Sequence, residues 1–376
     1  MRRQALLCAL PLLFACTAPA PNGQASRPVS TDHYVTVKST APGMSGGEAR
    51  IYVREVAVPG ATMIPAARRV VLFVHGAGTP AEVAFDVPHA DFSWMAYLAN
   101  AGFDVFAMDM TGYGRSTRPP AMADACNFPR AQQAQFVPGR IPAECPPSHP
   151  TAITTMESDW VDIGAVVDHL RALRGVEQVA LVAWSQGGPR TGGYAIQYPA
   201  KVSRIFVLAP AYGRESADNA PDPSATADGQ MDAQSAADFS RNWDRQVGCA
   251  NQYDAATSDA IWKDMLASDS VASKWGPGVR RSPKVVSWGF NRTTVAMMKV
   301  PYAMATGEYD KQVVPQRVHD LYQDVGSAER VLIDIACSSH NAMWEKNHLL
   351  LFKASAEWLK DGLVNGMNRG EVKLGF

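Results

Sequence analysis

Three residues far apart in the chain have the types and surroundings for one piece of chemistry: Ser185, Asp310 and His340. A serine hydroxyl is a poor nucleophile at neutral pH. It becomes a good one when a base takes its proton and an acid fixes the tautomer of that base and stabilises the imidazolium formed. Ser185 ends an apolar, β-branched run over 179–183 and is followed without a loop by an amphipathic stretch carrying Tyr194, Ile196 and Tyr198. That pattern predicts a buried parallel strand turning directly into a helix. A corner of this kind strains its residue, lifts Oγ clear of the sheet and aims the first helical amides at whatever Oγ attacks. Ala183, Gly187 and Gly188 leave room for the turn, although Ala183 stands where the pattern G-x-S-x-G has its first glycine.

The base and the acid must come from later strand ends. Of eight histidines, His33 and His169 lie early or inside a helix pattern, His89 and His149 lie in loops before Ser185, and His319 and His348 fall in late helices. His340 follows a late strand, in the loop Ala336-Cys337-Ser338-Ser339-His340-Asn341. Thr306-Gly307-Glu308-Tyr309-Asp310 follows the preceding strand and puts Asp310 at the rim, with Glu308 as its near competitor and Asp334 as a weaker one. Each residue alone has a plainer explanation: a serine or an aspartate after a strand commonly caps the next helix. The order Ser, Asp, His at three successive strand ends favours the joint reading. Negative charge on an attacked oxygen also needs a home. Val74-His75-Gly76-Ala77-Gly78 ends an earlier strand in a small-residue turn, so amides of Ala77 and Gln186 are expected to form an oxyanion hole. The same turn lacks the Lys-Ser or Lys-Thr of a phosphate-binding loop.

The elements that must hold these residues alternate. Segments 33–38 and 49–56, joined through Gly46-Gly47, predict a hairpin. Strands are then expected at 70–74, 103–108, 179–183, 204–208, 301–305 and 330–335, and helices at 92–101, 156–173, 314–325 and 345–361. Repeated strand-then-helix units imply an α/β fold with a mostly parallel central sheet flanked by helices and a site at the carboxyl ends of the strands. Insertions at about 117–148 and 211–292 follow strands at that end and are expected to form a cap. Trp184, Trp243 and Trp288 either line a substrate pocket there or pack cap to core.

Taken together, His75-Gly76-Ala77-Gly78, Asp109-Met110-Thr111-Gly112-Tyr113-Gly114-Arg115-Ser116, Ala183-Trp184-Ser185-Gln186-Gly187, Gly307-Glu308-Tyr309-Asp310 and Ser339-His340 resemble the motifs of the α/β-hydrolase fold serine enzymes, in order and spacing, over roughly residues 68–362. The resemblance implies nucleophile Ser185, acid Asp310 and base His340. The expected activity is hydrolysis of a small carboxylic ester, with carbon–carbon bond hydrolysis of a diketone or amide hydrolysis as the nearest alternatives. A non-catalytic envelope lipoprotein that binds rather than cleaves is the alternative from another class. No metal or organic cofactor is implied.

The chain has 376 residues, of which 47% are apolar and 19% charged, enough for one elaborated domain over 33–376 with a large core. A formal charge of -1 argues against nucleic acid as a partner. Arg2 and Arg3 precede an apolar stretch over 5–15 that is too short to span a bilayer, so 1–16 is expected to be an export signal and 17–32 a flexible linker. Leu13-Phe14-Ala15-Cys16 resembles a lipobox, which would lipidate Cys16 and attach the protein to a membrane; ordinary cleavage near Ala18 or Ala20 is the alternative. The expected location is the periplasm, the outer membrane as a lipoprotein, or the medium. The remaining Cys126, Cys145, Cys249 and Cys337 predict two disulfides, with 126–145 and 249–337 the pairing favoured by separation. Their spacing does not resemble zinc ligands.

Overall fold

The computed structural model describes residues 27–60, 64–219, 228–285 and 288–376. The expected export signal, Cys16 and the linker up to residue 26 lie outside the described residues.

Among the described residues, nine strands form one sheet in the order β1-β2-β4-β3-β5-β6-β9-β10-β11. Strands β1 (Val29–Lys38) and β2 (Glu48–Ala57) make the expected antiparallel hairpin, but β1 begins four residues earlier than expected, so residues 29–32 pair with 54–57 in the sheet and are not linker; β2 runs antiparallel to β4 (Asp104–Met108). From there every pairing is parallel: β3 (Val70–Val74) on β4 and β5 (Val179–Trp184), then β6 (Val202–Leu208), β9 (Tyr302–Gly307), β10 (Arg330–Ile335) and β11 (Arg369–Leu374). All residues of β3, β4, β5 and β9 are buried, as continuous apolar runs covered on both faces require. Strand β11 escapes sequence patterning because, in Arg-Gly-Glu-Val-Lys-Leu, only Val372 is buried.

Helices cover both faces. The helix Met156–Arg174 shows why the sequence starts and stops where it does. Thr155 and Ser158 form a reciprocal capping box, and Gly175 closes the helix at a left-handed φ of 61°. Its residues Ile163, Val166, Val167 and Leu170 share one face and are buried, each stabilising the fold by roughly 1.5–3 kcal/mol. The last helix begins at His348, after a 3₁₀ turn over Ala342–Trp344, and not at residue 345 as patterning suggests, because the Glu345 side chain is turned inward.

The two insertions pack on each other at the carboxyl ends of the strands. The first is stapled by Cys126–Cys145, with Cα atoms 5.3 Å apart. The second carries an antiparallel pair, β7 (Met231–Ser235) with β8 (Val279–Pro283), and the helices Ala236–Asp244 and Ala255–Ser268. Phe128, Phe136 and Ile141 of the first insertion share an apolar cluster with Met231, Trp275 and Val279 of the second. Buried Arg281 reaches across as well, pairing with Asp269 at 2.8 Å and donating to the Met122 carbonyl. A second disulfide, Cys249–Cys337, ties this cap to the loop after β10.

Candidate active site

Ser185 occupies the end of β5 with φ 57°, in the left-handed region that a residue with a side chain enters at a cost of about 1–3 kcal/mol. The surroundings hold it there. Its N–H donates to the Leu208 carbonyl at 2.9 Å, and its carbonyl accepts from the N–H groups of Gly188 and Ala211, each at 2.9 Å. The neighbouring glycines make space: a Cβ on Gly76 would lie 2.8 Å from the Ser185 Cβ, and one on Gly187 would lie 2.5 Å from the Val74 carbonyl oxygen. The latter would also lie 3.0 Å from the Ala183 Cβ, so the methyl at Ala183 is accommodated because Gly187 has none.

His340 sits in the loop after β10, as the sequence indicates. Its Nδ1 is 2.8 Å from Asp310 Oδ2, and both residues are buried. The second oxygen of Asp310 accepts the N–H groups of Gln312 and Val313 at 2.8 Å each, which locks the carboxylate toward the imidazole. The competing acids are occupied elsewhere: Glu308 accepts the Cys337 N–H at 2.8 Å, and Asp334 pairs with His319 at 2.9 Å. Ser185 and His340 line one cavity of about 90 Å³ together with Ala77 and Trp184.

The loop that bears His340 is held by a residue that patterning missed. Glu345 is buried and accepts from the Ser339 N–H and hydroxyl at 2.6 Å each, from the Trp243 indole at 2.7 Å and from the Gln252 amide at 3.1 Å. Burial pushes its carboxyl up while these four donors pull it down. Its one sequence signal is an acid placed directly after Ala342-Met343-Trp344. Of the two readings of the tryptophans, Trp243 and Trp288 follow the packing one and not the pocket one. Trp243 is a strut: its indole serves Glu345, and its ring stacks on Tyr253 with centroids 4.2 Å apart. Trp288 packs edge-on against Trp160 at 5.2 Å and does not line the cavity either. Trp184 does line it, and donates its indole N–H to the His340 carbonyl at 2.8 Å.

On the other side of Ser185, the turn after β3 is braced from beneath. Arg190, four residues into the helix Gly187–Gln197, is fully buried; its Nη1 donates to the carbonyls of His75 (2.9 Å) and Gly76 (3.0 Å), and its Nε to Asp159 at 2.7 Å. The Gly76 carbonyl also accepts from His75 Nδ1 at 2.7 Å. In a trans peptide the carbonyl and the following N–H point in opposite directions, so pinning the Gly76 oxygen fixes the direction of the Ala77 N–H. His75 itself is no base: its Nε2 accepts the Met110 N–H at 3.1 Å, and burial pushes its pKa down to about 3. The amide side chain of Gln186, at the start of the helix, donates to the Val285 carbonyl of the cap.

Asp162 lies in the same buried layer and accepts the Thr111 N–H at 2.9 Å. Burial lifts its carboxyl from 3.8 to about 7, the Asp159 charge adding to the effect and the Thr111 bond opposing it. The folded protein therefore holds this proton more tightly than the unfolded chain, so the linked stabilisation is full below about pH 4 and is lost as pH rises through 7. Asp162→Asn keeps an acceptor and cannot ionise. Its melting temperature relative to wild type is expected to climb by several degrees between pH 4 and pH 8, measured by thermal melts across that range.

The fold and this site define a class: a parallel α/β sheet that presents a strained serine beside a histidine–carboxylate pair. Residues 69–347 match the profile of the alpha/beta hydrolase fold family, and the chain belongs to that family. No curated protein matches it. Among solved structures it is similar in fold to the carboxylesterase CesB (YbfK) from Bacillus subtilis, at 14% identity and TM-score 0.51, over 89% of this chain and 93% of that one. It is also similar to a serine hydrolase involved in carbazole degradation, the CarC enzyme, at 15% identity and TM-score 0.52, over 88% of this chain and 99% of that one.

Proposed function

We propose that the protein is a serine hydrolase of carboxylic esters working through an acyl-enzyme. The carrying observation is that His340, held by Asp310 at 2.8 Å, lines the same cavity as Ser185. Ser185 Oγ attacks the ester carbonyl as His340 Nε2 takes its proton, and Asp310 holds Nδ1–H and stabilises the imidazolium. The amides of Ala77 and Gln186 receive the oxyanion. Collapse of the tetrahedral species expels the alcohol, which takes the proton from His340; water, activated by the same base, then frees the acid. The cavity volume supports a short acyl group.

Export belongs to the same proposal. Two disulfides are consistent with an oxidising compartment. No helix among the described residues is long and apolar enough to cross a membrane, so attachment would rest on lipidated Cys16.

A substrate panel tests the reaction class. Short p-nitrophenyl esters are expected to exceed the matching p-nitroanilide and a β-diketone in kcat/KM by at least about 100-fold. Turnover of the diketone or the anilide without turnover of the esters would overturn the ester reading in favour of carbon–carbon or amide cleavage.

A further inference from the structure

One cation in the catalytic cavity is not used by the proposed chemistry. Arg280, on β8 of the cap, lines the cavity that holds Ser185 and His340. Its guanidinium lies flat on the turn that carries Ala77: a Cβ on Gly78 would fall 2.2 Å from Nη2, 2.4 Å from Cζ and 2.5 Å from Nη1. Gly78, at φ 82°, gives the arginine that approach.

The partners of Arg280 are neutral. Its Nε and Nη2 donate to Gln234 Oε1 at 3.1 and 2.8 Å, and its Nη1 donates to Ser282 Oγ at 2.8 Å. Three of its five N–H donors are thereby engaged, and no carboxylate among the described residues forms an ion pair with it. The adjacent Arg281 behaves otherwise, with Asp269 meeting it at 2.8 and 2.9 Å, and so does Arg190 with Asp159. The rest of the cavity wall is amide, hydroxyl, imidazole and aromatic, including Gln234, Asn242, Gln312 and Asn341, and no acidic side chain among the described residues lines it. Asp232 on β7 is the acid whose charge reaches Arg280, and burial still pushes the guanidinium pKa down. A half-buried cation with no carboxylate paired to it carries a desolvation cost that a bound anion would offset.

We infer that Arg280 selects esters bearing a carboxylate close to the scissile bond, the carboxylate meeting the two free donors of the guanidinium. A carboxylate is planar and offers two oxygens that match the guanidinium fork. The group can belong to the acyl part, as in a half-ester of a dicarboxylic acid, or to the alcohol part. The inference rests on the ester-hydrolase reading.

Both sources are tested by comparing kcat/KM for mono-p-nitrophenyl glutarate with its methyl ester, and for 4-carboxyphenyl acetate with its methyl ester. A charge-assisted contact predicts that the carboxylated member of one pair is preferred by about 10- to 100-fold in the wild type. In Arg280→Met that ratio falls to near one, and Arg280→Lys, a charge without the planar fork, retains part of it. The ratio is the readout, whatever the absolute rates. Should Arg280→Met fail to fold, inhibition of the wild type carries the test: glutarate or 4-hydroxybenzoate must inhibit neutral-ester hydrolysis more strongly than the matching amide. Neutral esters turned over with no preference in either pair, or a preference that survives Arg280→Met, would overturn this inference alone. Absence of turnover for every ester would instead strike the function proposed above.

Discussion

Ser185→Ala is expected to lower kcat on a short p-nitrophenyl ester by about 10⁴- to 10⁶-fold, the scale that loss of a nucleophile produces in a triad enzyme. Removing one oxygen changes no packing contact, and alanine accepts the same strained φ of 57° at no greater cost than serine. The melting temperature is therefore expected to stay within about 2 °C of wild type, which separates lost chemistry from lost structure. Substrate binding should persist, because neither the turn after β3 nor Arg280 depends on the hydroxyl. Steady-state kinetics with a parallel thermal melt decide the matter, and activity within about tenfold of wild type would remove Ser185 from the mechanism.

Arg190 carries the second large effect, and two measurements separate its two roles. Arg190→Met leaves Asp159 buried without its cation and should destabilise the fold by about 3–5 kcal/mol, a cost limited by protonation of Asp159, whose carboxyl burial already pushes up. The same change removes a donor from the Gly76 carbonyl, loosening the Ala77 N–H; loss of one well-aimed oxyanion donor costs about 10²- to 10³-fold in kcat. Combining Arg190→Met with Asp159→Leu replaces the ion pair by apolar groups and is expected to recover much of the stability. It cannot restore the donor, so kcat should stay depressed. Recovery of both together would mean that Arg190 acts only by holding the fold together.

The parallel strands and the candidate triad were legible in the sequence because both are local patterns repeated in order. Continuous apolar runs such as Val70–Val74 mark strands covered on both faces, and a small-residue corner marks Ser185. Position after a strand end put Asp310 at the rim with Glu308 as its near competitor, and the resemblance singled out Asp310; in the structure Asp310 faces His340, whereas Glu308 accepts the Cys337 N–H and Asp334 pairs with His319. Arg190, Glu345 and Arg280 were not legible. Arg190 meets an aspartate 31 residues upstream, Glu345 receives Trp243 from 102 residues away, and Arg280 meets Gln234 across 46 residues. Such contacts leave no periodicity. The two readings of the tryptophans stayed open for the same reason: sequence shows that Trp243 and Trp288 are large and apolar, whereas only tertiary contacts show that one braces Glu345 and the other packs on Trp160. Strand β11 was missed because a half-exposed edge strand lacks an apolar run.

In the proposed mechanism Ser185 is a nucleophile activated by His340. Incubation of the full-length protein with a fluorophosphonate, followed by peptide mass mapping, tests it most directly. Stoichiometric modification of Ser185 at neutral pH is expected, abolished in Ser185→Ala and slowed by several orders of magnitude in His340→Ala. Failure of the folded wild type to label, or labelling at another residue while Ser185 stays unmodified, would contradict it.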